Sequence, residues 1–424
     1  MFKFSRWKHY TAFAACIVLF TFVFVGNPAE DSFLEKPLKR AGGPFLGYKN
    51  CNSETKVAFL KTHKCASTTV QNIFLRYAYG HDLNVALPRV GNYVGRNRPF
   101  HRSVLWDTPW DAINMTYNFY CLHGIWNYDE VNLLMGPGTK YITILRDPIE
   151  LFISMWDYVN FSKSYKVTLE EYALSNKTGL LKDRKNVAHL GRNQMLWDSG
   201  VPGPLLNDQE TILDKINELD RTFDLVMIAE HYNESVILLK NLLCWDYKDV
   251  ASLKLNSRNK SAKSTLSSKA REALKEYLAG DYMLYNHFLA KFKYSLRKFG
   301  ETKMANELSI LNTITSGIEE RCIADRVNNY KIKGQFKLYG DGNMMGFQLK
   351  NGTDRDCESY AWPEVKFLDL VRNAQRNRTD QILVSLNLTE SDVMAKSVSS
   401  YNPMSFVKNG VPDLEAMKKV YRYK

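Results

Sequence analysis

Two short stretches hold polar residues at a spacing that could do chemistry on a phosphate-bearing ligand. The first reads Leu60-Lys61-Thr62-His63-Lys64-Cys65-Ala66-Ser67-Thr68-Thr69. An apolar run leads into small and hydroxylated residues, and a helical pattern follows. Backbone N–H groups at such a helix start attract an anion. Lys64 adds a mobile positive charge, and Ser67, Thr68 and Thr69 add hydroxyl donors. The GxxxxGK pattern of nucleoside triphosphatases is absent, so this would be a phosphate loop of another type. The same residues also read as a plain helix start capped by Ser67 or Thr68. The second stretch is Ile144-Leu145-Arg146-Asp147-Pro148, with Ser154 further on. Arg146 falls at the carboxyl end of a strand. Ser154 falls off the apolar face made by Ile149, Phe152 and Ile153, which predicts that it is not core. An Arg and a Ser so placed can cradle a second phosphate; the alternative is a surface Arg–Asp pair and a solvated Ser.

Metal chemistry has little support. No CxxC or HExxH occurs. Asp354-Arg355-Asp356 is formally a DxD, a pattern that binds a metal in many glycosyltransferases. It is short and lies outside the region that carries the two turns, and no metal is expected.

The elements that must position these residues alternate. Val57–Leu60, Tyr141–Leu145 and Asp224–Ile228 are apolar runs of strand length. A helix follows each: Val70, Ile73, Phe74 and Tyr77 after the first, Ile149 to Trp156 behind an Asp147-Pro148 cap after the second, Val236 to Leu243 after the third. Alternation of this kind predicts an α/β fold, a P-loop-like parallel sheet flanked by helices, with ligands at the carboxyl ends of the strands. No internal repeat is visible. Beyond residue 300 the pattern is more polar, with a helical stretch at Val365–Arg376.

The chain has 424 residues with 45% hydrophobic and 24% charged content, which excludes a mostly disordered chain, a collagen and a polytopic membrane protein. Seven cysteines are too few for a small disulfide scaffold. A net charge of +12 favours an anionic partner. Tyr10–Gly26 carries no charge and follows Lys3, Arg6 and Lys8. At roughly 25 Å as a helix it reads as a short type II membrane anchor, whose length suits the thinner membranes of the early secretory pathway; the alternative is a cleaved signal peptide, though its exit offers no clean small-x-small cleavage site. Asn-x-Ser/Thr sequons at Asn114, Asn160, Asn176, Asn233, Asn259, Asn351, Asn377 and Asn387 all lie on one side of it and support a lumenal body. Asn160 and Asn259 lie close to the motifs, leaving Asn114, Asn176, Asn233, Asn351, Asn377 and Asn387 as glycosylation candidates. A lumenal body disfavours nucleic acid as the partner and permits disulfides; Cys322 and Cys357, which flank one C-terminal segment, are the expected pair. The expected organisation is a tail (1–9), an anchor (10–26), a Pro- and Gly-bearing stem (27–52), a catalytic domain (53–300) and a C-terminal extension packed on it or completing it (301–424).

Taken together, the Lys64 loop and the Arg146-Asp147-Pro148…Ser154 turn resemble the sulfotransferase fold. Four stretches extend the likeness: Phe59 to Thr69, Asn84-Val85-Ala86-Leu87-Pro88, Lys254 to Arg258, and Leu284 to Phe288. Over residues 53–300 the chain resembles the galactose-3-O-sulfotransferase family. The resemblance implies a sulfate donor, 3′-phosphoadenosine 5′-phosphosulfate, held at its 5′ end by Lys61, Lys64, Cys65, Ala66, Ser67, Thr68 and Thr69 and at its 3′-phosphate by Arg146 and Ser154. It implies that Lys64 stabilises the leaving phosphate oxygen, with Lys61 as the alternative, and that His123 is the base, with His63 as runner-up. Ser257 and Arg258 would close over the donor, unless that segment is only a solvated basic loop. The acceptor would be the 3-hydroxyl of a galactose on a glycolipid or a glycoprotein glycan, in the Golgi. Arg192 and Asn193 are candidates for its hydroxyls, and Trp106, Trp110, Trp126 and Trp156 for stacking on the sugar. Two positions depart from the family: Cys65 in place of Thr, and Leu122 in place of a His before His123. Two other readings stand beside this one. One is a lumenal glycosyltransferase using Asp354 and Asp356. The other is a non-catalytic glycan-binding protein, toward which Cys65 points.

Overall fold

Val57–Leu60 (β1) is buried at every position, at most 2% exposed. A strand with no polar face must be covered on both sides, and this one is central. The computed structural model describes residues 51–88, 90–95, 98–105, 115–175, 190–255, 257–258, 266–338, 344–389, 407–408 and 411–412. Phe119–Tyr120 (β2), Lys140–Leu145 (β3) and Leu225–Ile228 (β4) join β1 in a parallel sheet of order β2-β1-β3-β4. β1 and β3 are neighbours, with Leu60 opposite Thr143. The two chemistry-bearing turns therefore leave adjacent strands at the same edge. They are also tied together: Thr143 Oγ1 donates to the Leu60 carbonyl at 2.9 Å and Thr62 Oγ1 to the Ile144 carbonyl at 2.5 Å.

The helices that bear on the site, numbered in chain order, are α1 (Ser67–Gly80), α2 (Pro148–Val159), α3 (Gln194–Asp198), α4 (Tyr232–Leu243), α5 (Ala279–Phe299), α6 (Glu301–Cys322) and α7 (Glu364–Ser385). α2 starts as its sequence predicts, with Asp147 as N-cap accepting from the Ile149 and Glu150 N–H groups and Pro148 in the first turn. α7 includes the expected Val365–Arg376 helix and runs nine residues further, through Ser385.

The sheet is wider than the periodicity predicts. β2 has two residues, too short for any periodic signal. Its outer edge is finished by residues 85–99, which make single parallel bridges: Val85 with Phe119, Tyr93 with His123, Pro99 with Ile125. A second, antiparallel sheet joins Ser257–Arg258 (β5) to Ile323–Asn328 (β6) and Met344–Leu349 (β7) of the C-terminal third, in the order β5-β7-β6. Phe367, Leu368 and Val371 of α7 share one buried cluster with β1 and β3.

Among the described residues two disulfides are present, Cys51–Cys244 and Cys322–Cys357, with Cα–Cα distances of 6.0 and 5.1 Å. Cys65 and Cys121 are free and buried. The sequons at Asn233, Asn351, Asn377 and Asn387 are exposed; Asn114 and Asn176 lie outside the described residues, as does the apolar segment 10–26. Among the described residues no helix is long and apolar enough to cross a membrane.

Candidate active site

The chain leaves β1 through Lys61 and Thr62 and turns sharply before α1. Lys64 and Ala66 have φ of 59° and 62°, in the left-handed region. A backbone that alternates between right- and left-handed residues points successive N–H groups into one concavity, which suits an anion. α1 begins at Ser67 with no side-chain cap and no acid in its first turn. Neither Ser67 nor Thr68 caps it: Ser67 Oγ turns back to the Thr62 carbonyl at 2.5 Å, and the N-cap position is Ala66. The helix start therefore keeps its positive end open. By contrast, the start of α2 is closed by the Asp147 carboxylate. Of the two helix starts, the first is the one whose N–H groups have no side-chain cap and could hold an anion.

Cys65 sits inside this loop with its side chain turned away from the concavity. It is fully buried and its Sγ donates to the His63 carbonyl at 3.2 Å. Burial pushes its thiol well above the ordinary range. The exchange of Thr for Cys thus leaves the cradle's N–H groups untouched. Thr69 is buried as well. Lys64 lays its ammonium over the Tyr158 ring of α2, 3.6 Å from the centroid. Its carbonyl accepts from Arg146 Nη1 at 2.9 Å. Arg146 thus clamps the phosphate loop with one nitrogen, and no other Arg146 guanidinium hydrogen bond is present among the described residues. Ser154 is 6% exposed, a correction to its expected place off the core: the α2 face opposite Ile149 is covered as well.

Two imidazoles stack beside the loop. His63 and His123 have ring centroids 4.2 Å apart, and Tyr93 stacks on His123 at 5.1 Å. His63 is used at both nitrogens. Nδ1 donates to Asp198 Oδ1 at 2.8 Å and Nε2 meets the Tyr93 hydroxyl at 3.1 Å. Its backbone N–H also donates to Asp198, at 2.7 Å. His123 differs. Its Nδ1 donates to the Lys61 carbonyl at 3.2 Å, which fixes the tautomer and leaves Nε2 as an acceptor with no partner among the described residues. Burial, with the positive charges of Lys61 and His63 beside it, holds the His123 pKa well below the usual imidazole value. It is a neutral imidazole with its lone pair open.

Lys61 does not face the phosphate cradle. Its side chain is fully buried and its Nζ pairs with Glu364 Oε1 at 2.6 Å. Burial lowers its pKa, opposed by that carboxylate. Asn193 is a second correction. It is fully buried, its Nδ2 donates to the Leu206 carbonyl at 2.8 Å and its Oδ1 accepts from the Asp281 N–H at 3.1 Å, so it holds α3 in place and has no atom left for a sugar. Arg192 donates to the Tyr277 carbonyl at 2.6 Å and stacks on that ring. Trp126 and Trp156 are 2% and 1% exposed and belong to the core; Trp106 and Trp110 lie outside the described residues. Ser257 and Arg258 form β5, on the antiparallel sheet. Asp354 and Asp356 both pair with Arg321, and Asp354 caps the helix that follows, so the DxD carboxylates are engaged in an exposed ion-pair cluster.

Four site residues escaped the sequence reading: Tyr93, Asp198, Asn92 and Glu364. Gln194 and Asp198 are four apart on α3 and hydrogen-bonded at 3.0 Å, a spacing that could have pointed to Asp198. Glu364 had no signal, because its partner Lys61 is 303 residues away.

A helix start with no cap and no acid of its own, at the carboxyl edge of a parallel sheet, defines a class: α/β proteins whose first turn can take a phosphate-bearing ligand. The particular family follows from comparison. The pattern of the galactose-3-O-sulfotransferase family matches residues 12–375. The chain is 31% identical over 334 residues to galactosylceramide sulfotransferase of Bos taurus, covering 75% of this chain and 78% of that one. It is 31% identical over 328 residues to galactose-3-O-sulfotransferase 2 of Sus scrofa (74% and 82% covered). It is 30% identical over 342 residues to galactose-3-O-sulfotransferase 3 of Mus musculus (76% and 78% covered). The chain belongs to the galactose-3-O-sulfotransferase family and is a sulfotransferase.

Proposed function

We propose that the protein moves a sulfuryl group from 3′-phosphoadenosine 5′-phosphosulfate to the 3-hydroxyl of a galactose, on a glycolipid or a glycoprotein glycan. The observation that carries this reading is the open Nε2 of a neutral, buried His123 beside an uncapped phosphate loop. The named activities of the relatives support the galactose acceptor. When bound, the donor supplies an activated sulfuryl group whose leaving oxygen belongs to its 5′-phosphate. The residues here perform three tasks. The N–H groups of the loop at 65–68 hold the anion. Lys64, on a flexible stem above Tyr158, reaches the developing charge on the leaving oxygen. His123 Nε2 takes the proton of the galactose hydroxyl as its oxygen bonds to sulfur. Arg146, tied to the loop at Lys64, supplies its remaining donors to the 3′-phosphate.

The body is proposed to be lumenal, anchored through residues 10–26 in the Golgi membrane. Two disulfides fit an oxidising compartment, and four exposed sequons fit glycan addition. The test uses residues 30–424 secreted from cells, a radiolabelled donor, a panel of β-galactosides and EDTA throughout. Transfer to a galactoside that vanishes in Lys64→Ala is the expected result. Transfer undiminished in Lys64→Ala sinks the assigned mechanism. Absence of both transfer and nucleotide binding sinks the reading of the loop. Endoglycosidase sensitivity and protease protection of the full chain in sealed vesicles test the topology; digestion of the body in intact vesicles overturns it.

A further inference from the structure

The C-terminal helix places a carboxylate at the mouth of an anion-binding loop, where a second negative charge is out of place. Glu364 opens α7 and reaches three partners from three segments. Oε1 accepts from Lys61 Nζ at 2.6 Å and from Asn92 Nδ2 at 2.8 Å, while Oε2 is 3.4 Å from Thr68 Oγ1 in the first turn of α1. The buried Lys61 Nζ fixes this carboxyl group in place. Oε2, with only the long Thr68 contact, has acceptor capacity left, and the side chain is 12% exposed. Asn92 is half-buried, and its Oδ1 has no partner among the described residues. The next residue, Tyr93, stacks on His123. A carboxylate at this mouth repels an anion and suits a neutral ligand rich in hydroxyl donors. An amide beside it, able to donate and accept, suits the same ligand.

We propose that Glu364 and Asn92 form the acceptor subsite, gripping the galactose by a hydroxyl next to the one that is sulfated and so turning the reacting hydroxyl toward His123. The assignment rests on the sulfotransfer reading above and names residues for its acceptor side. α7 is held for this task along residues 85–91. Gln375 exchanges two hydrogen bonds with the Val85 backbone, at 2.7 and 3.0 Å, and Arg372 donates to the carbonyls of Pro88 and Gly91 at 3.1 and 2.9 Å.

The experiment pairs enzyme variants with substrate variants. Methyl β-galactoside and its 2-deoxy and 4-deoxy analogues are assayed with wild type, Glu364→Gln and Asn92→Ala. In wild type, loss of the gripped hydroxyl lowers kcat/KM by roughly 10–100-fold, the worth of a hydrogen bond to a charged group. In Glu364→Gln the same loss changes kcat/KM by less than about threefold, because the interaction is already gone. Calorimetry with adenosine 3′,5′-bisphosphate serves as the folding and donor-site control, and its affinity stays within about threefold in both variants. Equal deoxy penalties in wild type and Glu364→Gln overturn the assignment. If Glu364→Gln fails to fold, Asn92→Ala decides: a raised acceptor KM with unchanged nucleotide affinity supports the subsite, and an unchanged acceptor KM overturns it. Failure of wild type to bind the nucleotide is a different result, and defeats the reading of the phosphate loop itself.

Discussion

In its proposed role as base His123 works only while neutral, so the rate is expected to fall as pH drops through its pKa. Burial and the neighbouring Lys61 and His63 charges depress that pKa. The acid limb of the kcat/KM profile is therefore expected below pH 6.5, the ordinary imidazole value. In Lys61→Met a positive neighbour is gone and the limb moves toward higher pH; an unmoved limb would remove His123 as the titrating group. His123→Ala is expected to lower kcat by about 10²–10⁴-fold, with nucleotide affinity by calorimetry unchanged. Lys64 and Arg146 could be singled out from the sequence because each sits beside a strand whose apolar run is unmistakable; His123 follows the two-residue β2, which has no such run, and is reached only through the family resemblance. Ser154 and Asn193 could not be judged that way. Whether a polar side chain faces a ligand or is spent inside depends on which distant element covers it, and here α5 packs against both α2 and α3, which a local reading leaves open.

Among the elements, α7 carries the largest consequence for the site. Gln375 satisfies both the N–H and the C=O of Val85, a buried residue at the sheet's irregular edge. Gln375→Leu leaves both groups without partners in a dry place. The expected cost is about 1–3 kcal/mol for each unsatisfied group, read as a lower urea midpoint at unchanged m-value. α3 is held in a comparable way. Asp281 of α5 accepts from the Met195 and Leu196 N–H groups at 3.1 and 3.0 Å, and so fixes the helix that carries Asp198 to His63. Burial raises the Asp281 pKa to about 7. Its folded pKa lies above its unfolded one, so the stability it contributes is present in full below about pH 4 and is lost as pH rises through 7. Asp281→Asn removes that dependence, and chemical denaturation at pH 5 and pH 8 measures it: the wild-type difference between the two shrinks in the variant.

For the whole molecule, the Cys51–Cys244 disulfide closes a span of 193 residues that includes β1, β3, β4 and the phosphate loop. Cys244→Ser is expected to lower stability by about 2–4 kcal/mol, seen in thermal unfolding, with activity retained at low temperature because neither cysteine touches the site. A reducing agent should lower the wild-type midpoint and leave this variant's shift smaller.

The sequence by itself determined the parallel sheet, the position of the first turn, and the family. These depend on local period, on helix starts and on small motifs, each written within a short stretch of chain. The tertiary structure alone decided four things: that the first helix start stays open while the second is closed by Asp147, that His63 is spent on Asp198 and Tyr93 while His123 keeps a free nitrogen, that Lys61 is buried, and that Glu364 comes back to meet it. Each of these is a pairing between residues far apart in the chain, and no local pattern encodes which distant partner will occupy a hydrogen-bonding group once the core has closed.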